Sequence, residues 1–511
     1  MSRRWLAAAV LAAGCTGPQV ADLPPLALDP PVTAAAHTQP ATPPPPPPRD
    51  APPLAASPAS VGGPLPLAEV LDAVERTYPL LRAAEQERAI AGGRLLSSLG
   101  AFDLTLSAGV DGQGGTYDNV RPAAGLSQGL PVGGLGVFAG YRNGGGDFPT
   151  YNLGQKTADG GELRAGVSVP LLRDRAIDRP RATVQQARLD VRLAEPVIDR
   201  QRLDFQRAAA RTYWNWVAAG HRLRLVEELA RLADDRDGQL AAQVKAGRIA
   251  RFERLDNQQN IALRNGLLVQ AQRGVQQATI ELSLFLRDGA GTPTLAGRDR
   301  LPDFPPVLPV DPAGLAAALQ VAAELRPEPR RLRLQRERLA VDLRLADNQT
   351  LPGLTAVVSG SQDVGPGRSS LSGPNGLDRA TLSAGVALAV PLQRREARGR
   401  VVTAQAQIVQ VDQLLKQAED VVRADVQDAF SALERAAEFH RQAEARVGLA
   451  REVADGERER LRGGTGSVLA VTLREQAAFD AELTAVAARQ DYFRAAADLR
   501  AAAGQSGPPA P

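Results

Sequence analysis

Residues able to do chemistry on their own are few and scattered. His37, His221 and His440 stand far apart, without the short ligand spacing that a metal site requires. Cys15 is the only cysteine, so no intrachain disulfide can form. Carboxylates are spread along charged helical stretches, where solvent-facing acids are expected and no paired acid and base stands out. No catalytic residue, cofactor or metal site is therefore nominated. The cluster Tyr213-Trp214-Asn215-Trp216 is either a ligand platform or a packing surface for a neighbouring helix, and packing is favoured. Remaining candidates lie at two glycine-bearing reversals, Lys245-Ala246-Gly247-Arg248 and Arg462-Gly463-Gly464-Thr465-Gly466. Their basic side chains can bind rather than react, so their meaning depends on the elements that place them.

Those elements come in one order, written twice. ATLSAGVALAVPL, residues 380–392, alternates apolar and small or polar residues and runs into about seventy residues of helix that end at Arg462. Earlier, ELRAGVSVPLLRD, residues 162–174, leads in the same way into a helix ending near Lys245. Each reversal is followed by a returning helix, one to about residue 287 and one to about 503. Each half also begins with a shorter amphipathic helix, from residue 65 and from residue 313. Pro79 and Pro327 occupy equivalent places in those helices and should bend or break them, and Pro196 should kink the first rod. This gives a first repeat over 65–287, an inter-repeat loop over 288–312 and a second repeat over 313–503.

Four sets of alternating residues read as strands: Leu104, Leu106, Ala108 and Val110; Leu163, Ala165, Val167 and Val169; Leu354, Ala356 and Val358; Leu382, Ala384, Val386, Leu388 and Val390. About nine or ten residues of alternation suits a tilted strand crossing a bilayer, although a half-buried soluble strand reads the same. Glycine-rich residues 111–160 are either a long outer loop or an added hairpin turning at Pro131-Val132-Gly133-Gly134, and the hairpin is favoured. A rod of about seventy residues is roughly 110 Å long, and two short helices of about thirty-five match it end to end. An isolated coiled-coil stalk would leave the strands unexplained. With 60 basic against 57 acidic residues the formal charge is +3, which gives no argument for nucleic acid.

MSRRWLAAAVLAAGC has two arginines, a short apolar run and small residues before Cys15, the flanks of a secretory signal over residues 1–15. Cys15 there resembles the lipobox cysteine of bacterial lipoproteins, with Ala12 where that pattern prefers leucine. The resemblance implies lipidation at Cys15, and Thr16 in place of a retaining aspartate implies outer-membrane sorting. Residues 16–64 are rich in Pro and Ala and read as a semi-rigid spacer, and 504–511 as a disordered tail.

The order of elements beyond residue 64 resembles the outer-membrane efflux protein family, the trimeric exit ducts typified by TolC. The likeness rests on PLAEVLDAVERTYPLLRAAEQERA, on the junctions VSVPLLRDRAIDRPRATVQQARLD and LAVPLQRREARGRVVTAQAQ, and on the tips KAGRIARFERLDNQ and RGGTGSVLAVTLREQAAFDAEL. It implies an α+β fold of long α-helical hairpins forming an α-barrel, plus transmembrane β-barrel strands, internally duplicated and assembled as a homotrimer. Four strands per subunit are usual in that family. The resemblance further implies a passive duct for efflux or type I secretion, partnered by a periplasmic adaptor (a membrane fusion protein), an inner-membrane pump and outer-membrane lipid, with no nucleic acid. Lys245, Gly247, Arg248, Arg251, Arg462, Gly463, Gly464 and Gly466 become the expected adaptor-docking tips, and Glu253, Asp256, Glu457 and Glu459 candidate aperture acids. The aspartates that ring the aperture in some members correspond here to Ala470 and Leu473, so no acidic gate carries over. The alternative is a non-conducting surface lipoprotein with a coiled-coil stalk.

Overall fold

A computed structural model describes residues 63–365 and 380–507 of the chain. The signal, Cys15 and the Pro-rich spacer to residue 62 lie outside the described residues, as does the end of the tail from 508. In chain order the elements are α1 (Leu67–Thr77), α2 (Pro79–Leu99), β1 (Thr105–Gln113), β2 (Asn119–Gly129), β3 (Gly136–Arg142), the two-residue β4 (Gly145–Gly146) and β5 (Glu162–Pro170). Then follow α3 (Arg179–Lys245), α4 (Arg251–Ser283), α5 (Gly314–Leu325), α6 (Pro327–Gln349), β6 (Gly353–Asp363), β7 (Thr381–Ala389), α7 (Arg395–Arg462) and α8 (Val468–Ala502).

Proline sets two of the helix boundaries. Pro79 and Pro327 each become the first residue of a new helix, and Tyr78 and Arg326 before them are forced into extended backbone. Each expected opening helix is therefore two, α1 with α2 and α5 with α6. Arg326 is pinned at its corner by Ala502 O (3.1 Å), Glu328 (2.9 Å) and Asp425 (3.0 Å). Pro196, by contrast, is buried inside α3 without ending it. The rods α3 and α7 have 67 and 68 residues, about 100 Å each at a rise of ~1.5 Å per residue. Both α2 and α4 pack on α3, and α6 and α8 pack on α3 and α7. The body is thus four staves side by side: α2 with α4, then α3, then α6 with α8, then α7.

The main core lies at mid-height. Leu65, just before α1, comes together there with Val70, Val74, Leu81, Tyr213, Trp216, Val217 and Leu282 from α1, α2, α3 and α4. Trp216 is 1 % exposed, and burying an indole of ~200 Å² at ~25 cal/mol/Å² is worth about 5 kcal/mol before entropy is charged against it. Tyr213 donates to Leu65 O at 2.8 Å, and Trp214 stacks on Phe493 at 4.3 Å between centroids. The aromatic cluster is packing, as its neighbours fix it from three sides.

All sheet pairs are antiparallel, in the order β1-β2-β3-β5-β6-β7, with β4 off the path on β2. Gly133 and Gly134, at φ 63° and 69°, make the β2–β3 turn, so the glycine-rich stretch is an added hairpin and the path has six strands. A Cβ on Gly134 would lie 2.4 Å from Asp174 O, so this turn is tucked against the joint between β5 and α3, at the helical end of the sheet. Register sorts side chains by face. The row Leu106–Leu126–Ala139–Ala165–Gly360–Leu382 crosses one face, flanked by Val137–Val167–Val358–Ala384. The opposite face carries Ser107–Gly125–Gly140–Arg164–Ser361–Thr381 and, beside it, Ser127–Phe138–Gly166–Ser359–Ser383. Phe138 covers Gly166, where a Cβ would stand 2.6 Å from its ring. Every residue of the edge strands β1 and β7 is exposed, and both open with Thr-Leu-Ser-Ala-Gly-Val, at 105–110 and 381–386. Among the described residues no helix is long and apolar enough to cross a membrane.

Candidate functional site at the helical tips

Both rods reverse through the same backbone motif. Arg248 N bonds back to Gln243 O at 3.0 Å, and Thr465 N to Arg460 O at 3.0 Å, the six-residue closure of a Schellman cap. Gly247 and Gly464 hold the left-handed position, at φ 66° and 79°, with open space where a Cβ would go. Four residues later the returning helices begin, α4 at Arg251 and α8 at Val468. Ser467 caps α8 by accepting from Ala470 N at 3.1 Å. The other two tip glycines do not share that left-handed requirement. Gly463 is right-handed, at φ −76°, and only Gly247 and Gly464 of the four tip glycines are left-handed. At Gly466 the constraint is closeness, since a Cβ would come within 2.7 Å of Leu461 N.

Lys245, Arg248, Arg251 and Arg462 are exposed, and none has a carboxylate partner among the described residues. Phe252, Leu255, Leu469 and Leu473 are exposed beside them at 73, 50, 59 and 60 %. The surface at the tips is thus basic, with apolar side chains between the charges. Of the acids considered for an aperture, Glu457 is paired with Arg460 at 3.2 Å, one helical turn along. Glu253, Asp256 and Glu459 have no ion pair among the described residues. Ala470 is half-buried and Leu473 exposed, and both occupy the first turns of α8.

A carboxylate that sequence reading passed over ties the two hairpins together just above the tips. Glu475 on α8 has a side chain 3 % exposed. Both its oxygens lie 2.5 Å from Arg236 Nη2 on α3, and Oε1 also accepts from Arg458 Nε on α7 at 3.0 Å. Val471, Ala478 and Phe479 are buried on the same stripe of α8. That stripe was the available signal: a lone acid at a position where helical spacing demands an apolar residue. Within the first hairpin, Asn257 donates to Ala233 O (3.1 Å) and Arg264 to Leu229 O (3.0 Å), joining α4 to α3. Burial holds the Arg264 guanidinium below its ordinary pKa. His221 is structural: its Nε2 is 3.0 Å from Pro302 O and its ring sits 4.9 Å from that of Phe304, with burial lowering its pKa.

No family model matches the chain, and no curated protein matches it. Solved structures do. The open state of the Neisseria gonorrhoeae MtrE outer membrane channel aligns at TM-score 0.60 and 18 % identity, over 86 % of this chain and 89 % of that one. The outer membrane protein VceC of Vibrio cholerae gives 0.59 and 16 %, over 86 % and 96 %. CusC, described through its folding and transmembrane channel formation, gives 0.61 and 14 %, over 88 % and 96 %. At such identities the likeness is one of fold, and it extends over nearly the whole described body.

Proposed function

Starting from the fold of the outer-membrane channels, we propose that this chain is one subunit of a passive exit duct through the outer membrane and periplasm. One observation carries the reading. The sheet has an apolar face, a polar face, and two edge strands with all residues exposed and unpaired on their outer sides. An open edge of this kind is a liability unless another chain covers it. Six alternating strands leave β1 and β7 running in opposite directions, so β7 of one copy can pair antiparallel with β1 of the next. Three copies would close eighteen strands, apolar face to lipid, around an aqueous lumen. Twelve staves would continue that lumen as a helical tunnel.

In this reading the tips formed by Lys245, Gly247, Arg248, Arg251, Arg462, Gly463, Gly464 and Gly466 are the docking surface for a periplasmic adaptor and pump, and energy comes from the pump. Glu253, Asp256 and Glu459 would stand near the aperture as solvated charges. Cys15 anchors the chain by lipid to the outer membrane, and the Pro-rich residues 16–64 serve as its tether. The two halves, with the same order of elements, are read as a duplication. A coiled-coil stalk lipoprotein would have no use for a sheet with an apolar face. Purified assemblies in planar bilayers should give discrete conductance steps, and a complete lack of current from correctly assembled protein would return the stalk reading to first place.

A further inference from the structure

We propose that the joint between sheet and rods carries an arginine collar that faces the duct and attracts anionic solutes. The proposal rests on the duct reading above and names a charge class for what passes through it. Residues 173–181 and 393–400, which lead from β5 into α3 and from β7 into α7, hold eight arginines against three carboxylates, a net +5 per chain. All three carboxylates are engaged: Asp174 with Arg173 (3.5 Å), Asp178 with Arg181 (3.1 Å) and Glu396 with Arg400 (2.6 Å). Arg179, Arg394 and Arg395 have no carboxylate partner among the described residues, and they line a cavity of about 700 Å³ between the starts of α3 and α7.

One lining side chain reaches the polar side of the sheet. Arg173, which also lines the cavity, places Nη2 2.8 Å from where a Cβ on Gly353 would stand. Gly353 alternates with Thr355, Val357, Ser359 and Ser361, on the mostly polar face that turns away from lipid in this reading. Below it a second cavity of about 470 Å³ shares Arg179, Gln349 and Arg400 and continues along the rods past Thr183, Gln186, Thr403 and Gln407. The result is a groove with unneutralised guanidiniums at its head and one carboxylate, Asp342, further down, which accepts from Gln186. Only two non-glycine residues of the described chain have positive φ, Asp174 (70°) and Arg394 (49°), one at each joint. The backbone strain sits where the arginines are presented. Guanidinium is always charged and recognises carboxylate and phosphate oxygens, so the group favoured here is an organic acid or phosphate. Repeated by three subunits, the collar rings the passage.

The test is the current carried by the purified full-length assembly in a planar bilayer under a KCl gradient. Wild type should be displaced toward chloride at 0.1 M KCl, and the preference should vanish near 1 M as the screening length falls from about 10 Å to about 3 Å. The variant R179Q/R394Q/R395Q should keep its conductance while its potassium-to-chloride permeability ratio rises about sevenfold, the effect of losing one kT of potential. Inorganic tripolyphosphate, added as an anionic probe, should block wild type and not the variant. Unchanged ratio and unchanged block in a conducting variant would overturn the collar. So would a wild-type preference that survives 1 M salt, a measurement that stands even if the triple variant does not fold. A variant that alters only the lipid dependence of assembly would place the arginines against headgroups, outside the duct, and also overturn it. No current from wild type would instead sink the duct reading itself.

Discussion

Replacing Glu475 by glutamine removes one charge from a site where three helices meet and leaves the shape almost unchanged. Glu475 is 3 % exposed, Arg236 13 % and Arg458 33 %. Hydrogen bonds to charged groups contribute about 1.5–3 kcal/mol each, and stranding a buried charge costs about 3–5 kcal/mol. Arg458 can turn to water and Arg236 cannot, so the loss should fall near 2 kcal/mol rather than at the sum. That is roughly 30-fold in the equilibrium for local opening. Amide hydrogen exchange on the purified assembly reads this directly: protection should fall roughly 30-fold over residues 233–245 and 468–478 and remain unchanged in α2 and α6. The double variant E475L/R236M, which replaces the buried pair by apolar side chains, should recover most of the protection. An effect below about twofold in E475Q, or one spread evenly over α2 and α6, would refute the idea that this carboxylate is the tie between hairpins.

Two further outcomes follow from the turns and the sheet. Valine at Gly247 or Gly464 meets no neighbour but must adopt a left-handed backbone, at a cost of about 1–2 kcal/mol each. The double variant should keep its membrane assemblies and lose adaptor-dependent export, whereas Gly463→Ala should be close to neutral, and normal export by the double variant would count against the tips. Ala384→Arg on the apolar face should cost about 2–4 kcal/mol in refolding titrations into lipid vesicles, and Ser383→Arg on the polar face almost nothing. Equal costs would mean the faces are assigned the wrong way round.

Elements that follow one simple period were legible in the sequence. Strand faces could be read because alternation in Leu382, Ala384 and Val386 is uninterrupted, and the rods because long runs of helix-forming residues outweigh Pro196 and the scattered glycines. Boundaries moved where local turns intervened. β1 begins at Thr105, because Gly100–Phe102 forms a tight helical turn, and α3 begins at Arg179, because Asp174 takes a left-handed backbone. Faces of the helices were less legible. Since α3 is packed by α2, α4, α6 and α8 on different sides, its buried residues do not form one stripe, and sequence spacing cannot say which side meets water. Glu475 escaped for a related reason: its place on the buried stripe of α8 was a sign of burial, but the two arginines that neutralise it lie 239 and 17 residues away in the chain. The chemistry of the joints escaped because arginines in 173–181 and 393–400 read as ordinary helix-start charge until the fold set them around one cavity.

The added β2–β3 hairpin bears on the girth of the proposed assembly. In the proposed trimer, twelve helices at 8–10 Å spacing enclose a circumference of roughly 100–120 Å. Twelve strands spaced about 4.8 Å apart and tilted about 40° would close at only about 75 Å, while eighteen close near 110 Å. With the hairpin, the wall of such a trimer would pass from helix to strand at almost constant perimeter and ordinary tilt. Without it, the strands would have to lean to about 60° to meet the same rim.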